Sequence, residues 1–313
     1  MKFYSILLIL GESMKETEFI WMDGKFVKWK DAKIHVLCHS LHYGLGVFEG
    51  IRFYETDKGP AVFRLKDHTK RLFDGANKAM MKVPYSEGEI NKAILDTIRK
   101  NKITNGYIRP IFFYGYRKMG LDPHGAPVNC SIAVWPWGSY LGEEAVKVMT
   151  STFTRIHPRS THADCKFCGH YVNSILASCE AKEKGYNEAL LLNAEGFIEE
   201  GPGENFYIVK DGKIITPPLG NILPGITRKS IIQIAKDEGI EVEEKNIKLD
   251  DVYNADEAFF TGTAAEVSAI ASIDDKKIGE APGPITTKLK RIYMDVVHGK
   301  NKKYEGWLSY VNK

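Results

Sequence analysis

The sequence predicts an α+β chain of two domains sharing a cleft, on three observations. Its 313 residues exceed one ordinary domain and fall short of three. Strand and helix patterns are mixed with many hairpins instead of following a strict strand–helix–strand repeat. The composition is globular, 43% hydrophobic and 27% charged, and shows no internal repeat or low-complexity tract.

The elements read in order. Residues 3–10 form an apolar run after Lys2, too short to span a bilayer. Gly11-Glu12-Ser13 is not a small-residue cleavage site. The ordered chain is expected to begin near Met14, with residues 1–13 a dispensable extension. Residues 20–27 read as a hairpin turned by Asp23-Gly24. Residues 47–54 and 61–63 read as strands about a turn at Asp57-Lys58-Gly59-Pro60. A helix is expected over 67–79. Ser86 and Glu89 make a capping box, and Ile90, Ile94 and Ile98 give the next helix one apolar face. Strands follow at 106–116 and 130–135.

In the second half, 171–184 reads as a helix ended by Gly185, 188–193 as a strand, and 206–209 with 214–216 as a hairpin about Asp211-Gly212. A helix over 227–238 is closed by Gly239. The expected domains are 14–136 and a larger 147–313, joined by 137–146.

Composition excludes several classes. Net charge is +3, and the lysines at 276, 277, 300, 302 and 303 form only short runs, which make a solvated face and no nucleic-acid groove. No apolar stretch is long enough for a transmembrane helix. Five cysteines, an odd number in a long chain, argue against a secreted disulfide framework and for a reducing cytoplasm.

Several segments carry chemistry. Leu223-Pro224-Gly225-Ile226-Thr227-Arg228 is a Pro-Gly turn opening onto a helix, where free N–H groups hold an anion as readily as the threonine serves as an ordinary N-cap. Thr261-Gly262-Thr263-Ala264-Ala265-Glu266 is a small-residue loop, fit to close around a ligand or simply a tight turn. Arg71 suits bidentate phosphate contact or plain solvent exposure. Lys166 sits among Cys165, Phe167 and Cys168, where an amine is partly desolvated, although most lysines are surface charges. Gly201-Pro202-Gly203 sets a special backbone path beside Glu199, Glu200 and Glu204, and a buried carboxylate there needs a cationic partner. Cys165-x-x-Cys168 has no second pair at zinc spacing; it reads as two buried thiols or a redox pair.

The order and spacing of these segments resemble the branched-chain amino acid aminotransferases, of the class IV (D-amino acid aminotransferase-like) pyridoxal-phosphate fold. The likeness runs from Trp21 to about Leu308. It rests on His42-Tyr43-Gly44 with Val47-Phe48-Glu49-Gly50, Tyr107-Ile108-Arg109-Pro110, Pro136-Trp137-Gly138 and Gly169-His170-Tyr171-Val172-Asn173-Ser174. Glu200-Gly201-Pro202-Gly203-Glu204-Asn205 and the two loops at 223–228 and 261–266 complete it.

The resemblance implies pyridoxal 5'-phosphate bound as an imine on Lys166, which then moves a proton. Glu200 is implied at the pyridine nitrogen, Tyr171 at the ring oxygen, and Arg71, Ile226, Thr227 and Thr263 at the phosphate. It further implies Tyr107 with the backbone of Thr263 and Ala264 near the substrate α-carboxylate. Tyr43, Phe48, Trp137 and Tyr140 are implied around the side chain, and Arg109 at glutamate's distal carboxylate. No metal is implied. The implied reaction passes the amino group of L-leucine, L-isoleucine or L-valine to 2-oxoglutarate, in a homodimer or an assembly of dimers. Phe167 and Cys168 are bulkier than the resemblance leads one to expect and are read as narrowing the site or redirecting its loop. D-amino acid aminotransferase, (R)-amine transaminase and aminodeoxychorismate lyase share the fold; Tyr107-x-Arg109 and residues 47–50 favour the branched-chain reading.

Overall fold

The computed structural model describes residues 14–138, 141–142 and 144–312. The expectation for residues 1–13 therefore falls outside the described residues, as does Tyr140.

Two sheets carry the molecule. The first contains β1 (Phe19–Met22), β2 (Lys25–Lys28), β3 (Gly46–Phe48), β4 (Ile51–Tyr54), β5 (Ala61–Phe63), β6 (Gly106–Tyr114) and β7 (Val128–Trp135). The second contains β8 (Val146–Thr150), β9 (Glu188–Leu192), β10 (Ile198–Glu200), β11 (Asn205–Lys210), β12 (Lys213–Thr216), β13 (Val242–Glu244), β14 (Glu257–Gly262), β15 (Glu266–Ile273) and β16 (Lys276–Lys277). The last strand, β17 (Leu308–Tyr310), crosses back and pairs antiparallel with β5. The helices are α1 (His39–Tyr43), α2 (Leu65–Lys78), α3 (Glu87–Asn101), α4 (Tyr171–Glu183), α5 (Ile226–Asp237), α6 (Leu249–Tyr253) and α7 (Pro284–Val297). Among the described residues no helix is long and apolar enough to cross a membrane.

Local chemistry accounts for these elements. Asp23 and Gly24 both take positive φ, 47° and 87°, as a two-residue hairpin turn between β1 and β2 requires. At the start of α3 the Glu89 backbone N–H donates to Ser86 Oγ, and Ser86 N–H donates back to Glu89 Oε2 at 2.8 Å. The buried face of α3 (Ile90, Ile94, Ile98) joins Trp21, Phe53 and Ile108 in the core of the first sheet. Gly185 and Gly239 take left-handed φ just past α4 and α5 and stop them. The core behind α5 and α7 is shared: Tyr54 and Phe63 of the first sheet pack with Tyr207, Phe259 and Tyr293 of the second half.

The loop before α4 is also stapled across the two halves. Phe48 N–H donates to the Lys166 carbonyl at 3.2 Å, Gly169 N–H to the Gly44 carbonyl at 2.9 Å, and Val47 bridges Phe167. The Cys165 and Phe167 side chains lie in the core of the first sheet.

Candidate active site

A cavity of about 240 Å³ opens between the two sheets. Strand alternation aims Tyr107 and Arg109, two residues apart on β6, to the same side. Phe48, the end of β3, and Trp137, just past β7, complete that wall. Arg71 enters from α2, Lys166 and Tyr171 from the stapled loop, and Glu200 from the end of β10. Ile226 and Thr227 enter from the first turn of α5, and Thr263 and Ala264 from the turn between β14 and β15. All twelve of these expected site residues thus line one cavity. Tyr43 does not: it is exposed on α1, its hydroxyl accepting from Gly120 N–H at 3.2 Å. Helix α1 points its ring away from the cavity of its own chain.

Lys166 Nζ donates to the Tyr171 hydroxyl and stands 5.1 Å from the centre of the Phe48 ring. Its backbone is held by the staple to β3, so the amine is presented from an anchored loop.

Glu200 is buried and ion-paired, accepting from Arg155 Nε at 2.6 Å and from Leu223 N–H at 3.2 Å. Asn205 Nδ2 donates at 3.3 Å to Oε2, the oxygen that Leu223 N–H also reaches, while Arg155 holds Oε1. Burial pushes the Glu200 carboxyl up, and Arg155 offsets only part of this. Of the three carboxylates flanking the Gly-Pro-Gly turn, Glu200 has the cationic partner that burial demands. Glu199 instead accepts from the amides of Asn193 and Asn221, each at 2.7 Å. Glu204, only 3% exposed, accepts from Gly203 N–H at 3.0 Å, and burial first, then Glu188, pushes it up to about 8.

Arg71 grips Glu49 with Nε at 2.6 Å and Nη2 at 2.9 Å, and donates to the Pro224 carbonyl from Nη1. His68 Nδ1 donates to the same carboxylate at 2.7 Å. Burial alone would raise Glu49, but Arg71 and His68 together hold it well below the usual carboxylate range. Three of Arg71's five N–H donors are thereby used and two remain for a ligand.

Gly225, the N-cap of α5, makes no side-chain cap, which leaves the first-turn N–H groups for an anion. A Cβ on Gly225 would sit 2.0 Å from Asn205 Oδ1, so only glycine fits beside the amide that holds Glu200. A Cβ on Gly50 would likewise strike the Tyr107 hydroxyl at 1.9 Å.

The Arg109 guanidinium lies over the Phe48 ring at 4.7 Å and the Tyr107 ring at 5.5 Å. Tyr107 and Trp137 meet edge to face at 4.5 Å.

Phe167 and Cys168 do not narrow the site. Phe167 fills the core of the first sheet and Cys168 Sγ packs against Gly46, so their bulk anchors the loop. Burial pushes the Cys165 thiol up to about 11 and raises Cys168 as well, which disfavours the reactive thiolate. All five cysteines are free.

Sequence reasoning passed over Arg155, His68 and the pairing role of Glu49. Glu49 lies inside the quoted run at 47–50, and the glycine after it marks the strand break that turns its carboxylate toward α2. Arg155 carries no local signal.

A lysine amine, a buried carboxylate beyond it and an uncapped helix N-terminus suit pyridoxal phosphate: an aldehyde to bind, a ring nitrogen to pair and a phosphate to hold.

The chain matches the family described as amino-transferase class IV over residues 46–273. It is 50% identical over 297 residues to the branched-chain-amino-acid aminotransferase of Pseudomonas aeruginosa, covering 93% of this chain and 97% of that one. It is 43% identical over 306 residues to the Escherichia coli protein of the same name, covering 96% and 99%. The crystal structure of the Escherichia coli enzyme superposes with a TM-score of 0.92 at 42% identity, covering 95% of this chain and 100% of that one. The T.th. branched-chain amino acid aminotransferase with pyridoxamine 5'-phosphate also gives 0.92, at 44% identity, covering 95% and 99%.

Proposed function

The chain belongs to the class IV aminotransferase family, and from that premise we propose the following activity for the cavity. The protein transfers the amino group of L-leucine, L-isoleucine or L-valine to 2-oxoglutarate, releasing branched-chain 2-oxo acids and L-glutamate, with pyridoxal 5'-phosphate as cofactor. When bound, the cofactor supplies an electron sink that stabilises negative charge at the substrate Cα.

The chain's residues do the rest. Lys166 binds the cofactor through Nζ and is the base that moves the proton, with Tyr171 fixing the direction of its amine. Glu200, held by Arg155 and Asn205, faces the pyridine nitrogen. Arg71, Ile226, Thr227 and Thr263 hold the phosphate. Tyr107 and the backbone of Thr263 and Ala264 hold the α-carboxylate, while Phe48 and Trp137 exclude water from the aliphatic side chain. Arg109 meets the distal carboxylate of glutamate. The observation that carries this reading is the placement of Lys166 Nζ between Tyr171 and the Phe48 wall, in the cavity that Glu200 and the uncapped α5 terminus also line.

We propose further that residues 14–136 and 147–313, joined by 137–146, are the two walls of the cleft, with β17 returning to the first, and that the chain works in a reducing cytoplasm. It works as a homodimer on this reading. Supporting this, exposed Val36, Leu37, Leu41 and Tyr43 lie near exposed Val172, Ile175 and Leu176 of α4, the two segments tied by the Gly169–Gly44 bond. A patch of that kind asks for a partner.

The test is a single-turnover mix of holoenzyme with L-leucine and no acceptor, followed by the cofactor absorbance. Conversion with L-leucine, lost in Lys166→Ala, is expected. Conversion with D-alanine or (R)-1-phenylethylamine in its place, or pyruvate release from aminodeoxychorismate, would overturn the substrate assignment.

A further inference from the structure

We propose that His170 is the positioning residue for Lys166: a neutral imidazole carrying its proton on Nδ1, it clasps the 161–170 loop shut and so fixes where the lysine amine stands. The inference rests on the reading of Lys166 given above.

The clasp is visible atom by atom. His170 Nδ1 lies 3.1 Å from the Cys165 carbonyl, and a carbonyl only accepts, so this nitrogen donates. Nε2 lies 2.8 Å from Thr161 Oγ1. With the proton on Nδ1, Nε2 accepts the threonine's hydrogen. One ring therefore joins the start of the loop to the residue directly before Lys166. The ring packs on Phe167 at 5.0 Å between ring centres, tilted by 53°, and Phe167 is buried in the core of the first sheet.

The loop has two sides and each is fixed differently. Outward, backbone bonds staple Lys166 to Phe48 and Gly169 to Gly44. Inward, toward the cavity that His170 itself lines, the imidazole makes the tie. Tyr171, whose hydroxyl receives the Lys166 amine, is the very next residue. A shift of His170 moves both partners of that contact.

The surroundings favour the neutral ring. Charged or titratable groups facing it are Arg155 from the segment after β8 and His162 and Asp164 from its own loop. Burial first, and Arg155 after it, hold the imidazole below its ordinary value; the Cys165 carbonyl and Asp164 pull the other way. A charged ring would make Nε2 the donor and the Thr161 hydroxyl its acceptor, reversing that bond and freeing the threonine's hydrogen.

Two measurements test this. Nitrogen NMR of histidine-labelled holoenzyme, with His170 assigned from H170Q, should show a ring that is neutral and protonated at Nδ1 at about pH 8 and whose midpoint lies below the ordinary value. An Nε2-protonated ring, or a midpoint near the ordinary value of about 6.5, overturns the proposal. In the L-leucine half-reaction, His170→Ala should lower the first-order rate about tenfold with little change in leucine affinity, since it misplaces the amine without touching the pocket. His170→Gln, whose amide can donate to Cys165 and accept from Thr161, should recover most of that rate. Thr161→Val should lose about threefold. A wild-type rate in His170→Ala, or His170→Gln no better than alanine, would refute the clasp. If His170→Ala does not fold, Thr161→Val at the wild-type rate refutes it equally. A wild-type enzyme inert toward L-leucine would instead sink the proposed function, and the NMR reading would still stand or fall by itself.

Discussion

Replacing Glu204 by glutamine should change how stability depends on pH. Glu204 is buried at the cavity wall, enclosed by Gly201, Gly203 and Gly262, and burial with Glu188 pushes its carboxyl up to about 8. The folded value lies above the unfolded one, so the folded state holds a proton that the unfolded chain releases. Stability from this group is complete below the unfolded value of about 4.3 and is lost as pH rises through about 8. Each unit in that window carries about 1.4 kcal/mol, so raising pH from about 6 to 7.5 should cost the wild type about 2 kcal/mol. Glu204→Gln has no proton to lose at this position and should escape that term. At roughly 2 cal/mol/K of unfolding entropy per residue, the difference is about 3 °C in Tm for a chain of this size. Urea and thermal unfolding of both proteins across that pH range read the term for Glu204 and its neighbour Glu188, because the titrating groups remote from Glu204 cancel in the comparison. Parallel stability curves for wild type and variant would refute the neutral carboxyl.

Other changes test the remaining geometry. Gly50→Ala drives a methyl into the Tyr107 hydroxyl; it should cost about 1–3 kcal/mol of stability and raise KM for the 2-oxo acid more than it lowers kcat, and an unaltered KM would remove Tyr107 from the carboxylate site. Gly225→Ala pushes Asn205 off Glu200 and disturbs the α5 terminus. Equilibrium dialysis should show the cofactor bound about tenfold more weakly, and unchanged affinity would dismiss the phosphate assignment there. Arg155→Met leaves Glu200 buried without its cation. Urea unfolding should register a loss of about 3–5 kcal/mol, partly recovered in Arg155→Met with Glu200→Gln; an additive double variant would contradict the pairing.

The readable parts of the fold were those with local causes. The Asp23-Gly24 turn, the Ser86–Glu89 box and the glycines past α4 and α5 act within a few residues, and the helices and hairpin they bound stand within two residues of expectation. Strand β14 was harder: Phe259 and Phe260 are both fully buried, so no alternation marks it. Strand β17 gives no sign in three residues that it will cross back to β5. The site shows the same division. Lys166, Glu200 and the α5 terminus sit in recognisable segments, but Arg155 reaches Glu200 across 45 positions, and only the packing of the loop after β8 onto β10 brings them together. The sequence singled out Arg71 for phosphate contact; that Glu49 and His68 pre-orient it depends on α2 packing beside β3.

These pairings decide what charge the cavity offers a substrate. Arg71 is matched by Glu49 and Arg155 by Glu200, and Glu204 is neutral below about pH 8. Lys166 and Arg109 are left, and among the described residues Arg109 pairs with no carboxylate: its guanidinium lies over the Phe48 ring at 4.7 Å and the Tyr107 ring at 5.5 Å. A cation stacked on aromatic faces is tolerated beside an aliphatic side chain, because the rings partly replace its hydration. Its edge donors still pair with a carboxylate when one arrives. On the proposed reading, one wall accommodates leucine and glutamate in alternation without rebuilding. Arg109→Met should therefore split the two half-reactions: about 100-fold slower with L-glutamate, whose distal carboxylate is left desolvated without a cation, and within about threefold of wild type with L-leucine. Single-turnover rates with each amino acid measure the split directly, and equal losses on both would show that Arg109 serves the α-carboxylate or the fold and not the distal one.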